Sequence, residues 1–99
     1  MYRIVVAVDE EGVHVKGARS ADKLLFIDLD TRSRIVRENP LKQGLMGIVE
    51  DLLEELGPAV FICSEISDSD RFFFEENGVK VIVTPSNLVE ELLEYIGPE

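Results

Sequence analysis

The residues able to do chemistry gather around two places in the chain. One is the stretch EGVHVKGARS, which holds the only histidine, His14, followed by Lys16, Gly17 and Arg19. Two cations beside a glycine suit an anion, because the cations supply charge and glycine lets the backbone come close. The other is a set of segment ends: Asp9 after IVVAV, Ser64-Glu65 after VFIC, and Thr84-Pro85-Ser86 after VKVIV. Soft-metal chemistry needs Cys and His. His14 and Cys63 are the two weak metal candidates, and no second Cys or His exists to complete a structural zinc site within one chain. Read conservatively, Cys63 is a buried strand-end residue and His14 an exposed loop residue. Ser64 has no histidine next to it, so a serine nucleophile has no motif behind it. Gly44-Leu45-Met46-Gly47 lacks the lysine of a phosphate loop and reads as a closely packed helix start, whose amides are a secondary place for an anion.

Bringing the segment ends together requires a particular fold. Tyr2–Val8, Lys23–Leu29 and Arg34–Arg37 read as strands, the last two joined by the polar turn Asp30–Ser33 into a hairpin. Val13–Val15 reads as a short extension, Lys16–Ser20 as a loop, and Asn39-Pro40 as a terminator. Leu45, Ile48, Val49, Leu52, Leu53 and Leu56 form one apolar stripe at helical spacing, stopped by Gly57-Pro58. Ala59–Cys63 is a short buried strand. Ser67 caps a helix through Glu76, with the acidic Asp70 three residues on. Val79–Val83 is the last strand, and Thr84-Pro85-Ser86 caps a third helix with Leu88, Leu92 and Ile96 inward. Phe72, Phe73 and Phe74 cannot all face a core from one helix, so one is expected at the surface.

Three meandering strands followed by helix-connected strands make an α/β fold of ribonuclease H-like topology. The expected sheet is five-stranded and mixed, in order 3-2-1-4-5 with strand 2 antiparallel, and it carries three helices. In such sheets ligands collect at the carboxyl ends of the strands, beside the switch point between strands one and four. Asp9, Lys16, Gly17, Arg19, Ser64, Glu65, Thr84 and Ser86 are therefore the candidate ligand-binding residues.

Bulk properties narrow the function. Ninety-nine residues fit a single domain, 1–99, and 45% apolar residues fit a globular one. Lone Cys63 forms no internal disulfide, and no leader or membrane-length apolar run is seen, so a cytoplasmic location is expected. Net charge is −10. Residues 1–49 hold eight Lys/Arg against seven Asp/Glu, whereas residues 50–99 hold two against thirteen. That surface repels phosphate backbones, so nucleic acid is not an expected partner. A metal-dependent nuclease would use Asp9 and Glu65, but its further carboxylates would have to come from Glu90, Glu91 or Glu94.

The order IVVAVDEEG, LLFIDLD, RIVREN, LGP, VFICSEIS, ENGVKVIV and LVEELLEYI resembles the dinitrogenase iron–molybdenum cofactor biosynthesis family over nearly the whole chain. The resemblance implies a small non-catalytic accessory domain that carries an iron–sulfur-based cofactor without covalent attachment. The family's His-Phe-Gly-Arg loop maps here with Gly17 on the glycine and Arg19 near the arginine. Val15 stands at the histidine place and His14 one position off. Its Gly-Glu-Ile-Gly maps onto Ser64-Glu65-Ile66-Ser67. The expected partners are a small anionic ligand or metallocluster, with a protein partner or homodimer also in view, and no membrane. A regulatory interaction domain without a ligand is the alternative.

Overall fold

A computed structural model describes residues 2–85 and 87–95, the side chain of Tyr95 excepted. Strands β1 (Ile4–Val8), β2 (Lys23–Ile27), β3 (Arg34–Glu38), β4 (Val60–Cys63) and β5 (Lys80–Val83) form one sheet in the order β3-β2-β1-β4-β5. β2 runs antiparallel to β1 and β3, while β4 is parallel to β1 and to β5. Helices α1 (Met46–Leu56) and α2 (Asp68–Glu76) are the two crossovers, and α3 (Val89–Tyr95) follows β5. A short 3-10 helix, Pro40–Gln43, turns the chain from β3 toward α1. Sheet order, strand directions and helix number are those expected from the sequence.

The period of two along each strand divides the core between two faces. Val5, Ala7, Leu24, Phe26, Phe61, Cys63 and Val81 point to one face, where Val49, Leu53 and Leu56 of α1 and Phe74 of α2 cover them. Ile4, Val6, Val8, Leu25, Ile27 and Ile62 point to the other, under Val89, Leu92 and Leu93 of α3. β1 is buried along its whole length because both neighbours and both faces are covered. The Phe61 and Phe74 rings stack at 4.3 Å, and Phe73 meets Phe74 edge-on at 5.5 Å. Phe72 is the exposed member of the trio, at 63%.

The structure corrects several details. The strands are shorter at their ends than the apolar runs: β1 starts at Ile4, β2 stops at Ile27, β4 starts at Val60 and β5 at Lys80. On α1 only Val49, Leu53 and Leu56 are buried, while Leu45 and Ile48 are exposed and Leu52 half-buried. Residues five apart on a helix point about 140° from each other, so an arc from Ile48 to Leu53 is too wide for one sheet to cover. Thr84-Pro85 does not cap α3, which begins at Val89; Leu88 instead bridges to His14 and is exposed. The helix buries Leu93 where Leu88 was expected. Ile96 and Ser86 lie outside the described residues.

The stacked pair gives a sharp contrast between neighbours in sequence. Phe74→Ala is expected to cost about 3–5 kcal/mol through lost burial and a cavity, whereas Phe72→Ala should fall within about 0.5 kcal/mol of wild type. Urea unfolding of the two variants measures both.

Candidate functional site

After β1 the chain makes a tight turn whose anchor is Asp9. Its Oδ1 accepts from the backbone N–H of Val13 at 2.9 Å and of His14 at 3.2 Å, and its Oδ2 meets His14 Nδ1 at 2.8 Å. Burial pushes the Asp9 carboxyl up, but the bonds from His14 and Val13 outweigh this and bring it down to about 2. The turn sends residues 13–18 across the carboxyl ends of the strands. The Val15 N–H donates to Asn87 O at 3.0 Å, and the Val89 N–H to Val13 O at 2.9 Å. The Lys16 N–H donates to Ala7 O at 2.8 Å, the Ser64 N–H to Lys16 O at 2.9 Å, and the Ala18 N–H to Glu65 O at 2.9 Å.

Gly17 is the point of closest approach. A Cβ there would lie 2.8 Å from Glu65 Cγ and 3.0 Å from Ser20 Oγ. The loop's far end is pinned by Asn39, which is buried. Its Nδ2 donates to Ala18 O and Ala21 O, both at 2.9 Å, and its Oδ1 accepts from the Leu41 N–H at 3.1 Å.

Arg19 reaches from the loop to α2. Its Nε donates to Asp70 Oδ2 at 2.8 Å and its Nη2 to Asp70 Oδ1 at 2.9 Å, a two-pronged pair. The Asp70 side chain is 4% exposed and that of Arg19 51%. The hydrogen bonds from Arg19 hold the Asp70 carboxyl below the usual range. The Ser67 hydroxyl accepts from the Asp70 N–H at 3.2 Å, as a helix cap at Ser67 requires. The Asp70 carboxylate, however, turns to Arg19 rather than back to the helix start. Arg19 Nη2 also approaches Met46 Sδ at 3.9 Å, while Nη1 makes no hydrogen bond among the described residues.

Between this loop and the start of α2 lies an open groove of about 480 Å³, lined by Ala18, Arg19, Ser20, Glu65, Ile66 and Ser67. Of the residues chosen from sequence, Arg19 and Glu65 line it. Gly17 does not line it, but passes close to Glu65, which does. Lys16 and Ser64 are exposed beside it and joined to each other through the backbone. Thr84 sits next to Cys63, its N–H donating to Cys63 O at 3.0 Å. Asp9 is spent on its own turn rather than aimed at the groove. Ser20, Ser67, Asn39 and Asp70 are not among the binding residues that the sequence singles out. The capping role hides Asp70, and the proline after it hides Asn39.

The two metal candidates stand apart in character. Cys63 is fully buried, and burial pushes its thiol up to about 11. His14 is exposed, as expected, and is held by Asp9 and bridged to Leu88. Among the described residues, no group of three or more His, Cys, Asp or Glu stands close enough to hold a metal ion.

No family model matches the chain, and no curated protein does. Solved structures share its fold. A Thermotoga protein described as a candidate NifB protein of the DUF35 family is 20% identical, covering 97% of this chain and 87% of that one, with a TM-score of 0.74. A Methanocaldococcus jannaschii protein described as a candidate dinitrogenase is 14% identical over 96% and 86%, with a TM-score of 0.72. The apo form of the orange protein from Desulfovibrio gigas is 17% identical over 97% and 88%, also at 0.72. At such identities the likeness is one of fold.

Two measurements test the loop's anchoring. Asn39→Ala leaves two carbonyls and one N–H without their partner, and is expected to cost about 1–3 kcal/mol in urea unfolding. The pH dependence follows from the two depressed carboxyls. The stability contributed by Asp9 and Asp70 is present above the ordinary carboxylate value and is lost as pH falls through their folded values, for Asp9 about 2. Asp9→Asn is therefore expected to flatten the acid limb of stability below about pH 4. An unchanged limb would show that Asp9 does not anchor the turn.

Proposed function

We propose that this chain is a small non-catalytic binding protein of the nitrogenase-accessory type, holding an anionic ligand in the groove between the loop and α2. The observation that carries the reading is the free face of Arg19. Asp70 fixes its guanidinium, yet Nη1 makes no hydrogen bond among the described residues, and Arg19 lines a groove together with Ser20 and Ser67. An arginine held on one side and free on the other is pre-organised for an incoming anion. Lys16, exposed and without an ion pair among the described residues, adds charge nearby. Gly17, Ser64 and Thr84 complete the proposed surroundings, with Ser86 a proposed member outside the described residues, and Asp9 supports the turn that delivers Lys16 and Gly17.

The cargo that this reading favours is an iron–sulfur-based cofactor carried without direct coordination. Support comes from solved structures of the same fold, described as a candidate NifB protein, a candidate dinitrogenase and the apo form of the orange protein. The sheet order and three-helix arrangement support the ribonuclease H-like class within the same reading. The nuclease alternative finds little support, since both oxygens of Asp9 are committed within its own turn.

Anaerobic mixing with an iron–sulfur-based cofactor, followed by gel filtration and absorbance, tests the proposal. Wild type should retain the chromophore, and Lys16→Ala/Arg19→Ala should retain at least about tenfold less, the scale of a single charge-assisted hydrogen bond. Equal retention by both proteins would show that the loop does not hold the cargo.

A further inference from the structure

Strand β3 stands at the edge of the sheet, paired with β2 on one side only among the described residues. Successive residues of an antiparallel strand send their N–H and C=O groups alternately to either side. The Asn39 N–H donates to Asp22 O at 3.2 Å and the Asp28 N–H to Ser33 O at 2.9 Å, so the odd-numbered residues of this stretch face β2. Arg34, Val36 and Glu38 therefore send theirs outward, where none has a main-chain partner among the described residues. The Val36 carbonyl meets only Arg37 Nη1, at 3.4 Å. Val36 is 52% exposed, and Arg34 and Glu38 are exposed on either side of it. We infer that this edge pairs with the same edge of a second copy, β3 against β3 about a two-fold axis at Val36, joining the two sheets into one.

Register, rather than apolar area, singles out a second copy. An antiparallel strand centred on Val36 sets Val36 against Val36, Arg34 against Glu38 and Glu38 against Arg34. Each is a hydrogen-bonded pair, so every outward N–H and C=O of the three residues gains a partner. Sliding by two residues spoils the match in either direction. One slide brings in Arg32, whose φ of 67° is not that of a strand, and the other brings in Pro40, which has no N–H to give. The side chains agree with the same register. Arg34, Val36 and Glu38 share a sheet face with Ile27, Leu25 and Lys23 opposite them on β2, the face that α3 covers. There Lys23 meets Glu38, and Arg34 meets Glu90. Across the axis they form a row of alternating sign: Lys23 and Glu38 of one copy, then Arg34 and Glu90 of the other. Opposite charges facing each other across strands are stabilising. Arg37, on the other face, falls opposite Ile35 and not opposite a cation. An unrelated strand would have to reproduce this pattern, whereas a second copy carries it by symmetry.

One short strand per copy buries little surface, so a weak dimer is expected. Sedimentation equilibrium from about 10 µM to about 1 mM should show monomer passing to dimer across that range. Amide hydrogen exchange over the same range should slow at Arg34, Val36 and Glu38 and stay unchanged at Ile35 and Arg37, which β2 protects in monomer and dimer alike. Val36→Pro removes an N–H that only the second copy uses, and an edge strand tolerates proline at an outward position. It should keep the chain monomeric throughout with a melting curve close to wild type. Arg34→Glu and Glu38→Arg leave the backbone bonds intact. Each should weaken dimerisation at least about tenfold, and the two together should restore it, the mark of a direct pair. Glu38→Arg is a stringent case, because it lowers the net negative charge and on that ground alone would favour association. A wild type that stays monomeric at the highest concentration overturns the proposal. So does a dimer that leaves exchange at Arg34, Val36 and Glu38 unaltered, charge variants without recovery in combination, or growth past the dimer, as β3 pairing with β5 would give.

Discussion

The architecture of the candidate site depends on one constraint: buried peptide groups at the carboxyl ends of the sheet must find partners. The segment 13–18 supplies them. It accepts from Ser64 and Val89, and donates to Ala7, Glu65 and Asn87, so it is stitched to the ends of β1 and β4 and to the approach to α3. Its position is set by main-chain bonds, not by the identity of its exposed side chains. The exposed side chain at 16 can therefore vary in chemistry while the segment keeps its place. The glycine at 17 cannot vary in the same way, because the segment passes too close to Glu65 for a Cβ to fit without displacement.

That placement explains how an acidic chain presents a usable cation. An arginine on a free loop would sample many orientations and lose entropy on meeting a ligand. Arg19 has already been ordered by Asp70, and Asp70 in turn is placed by the capped first turn of α2. The pair is electrically neutral to first order, and Glu65 adds a negative charge to the groove wall. Under the proposed function, attraction for an anion arises from the geometry of the open N–H group and neighbouring hydroxyls more than from net charge, and it favours a ligand with several acceptor atoms over a simple point anion.

Sequence reading reaches the fold more fully than the site. Strand order follows from local signals, β-branched runs and helix caps, each readable within a dozen residues. It fails where a local signal has two physical solutions. The α1 stripe is a wide apolar arc, and periodicity does not say which third of it the sheet covers. Leu45 and Ile48 are exposed because β3, at the sheet edge, offers no wall above them. Asp70 looks complete as part of a helix start, and its pairing with Arg19 spans 51 residues of sequence separation, beyond any local pattern. Asn39 looks complete as the residue before a proline, yet it ties together Ala18, Ala21 and Leu41. In both cases a sufficient local explanation conceals a long-range one.

Arg19 also ties the loop to the start of α1. Arg19 reaches past Asp70 to Met46 Sδ, at the first turn of α1, and its Nη1 would lie 3.4 Å from a Cβ at position 44. Gly44 closes the 3-10 turn in a left-handed conformation, with φ 72°, and its N–H is held by the Leu41 and Pro40 carbonyls. The apolar stripe of α1 starts at the next residue, Leu45. The guanidinium paired with Asp70 thus also abuts the closed turn from which α1 begins, so one side chain joins the loop, α2 and the approach to α1.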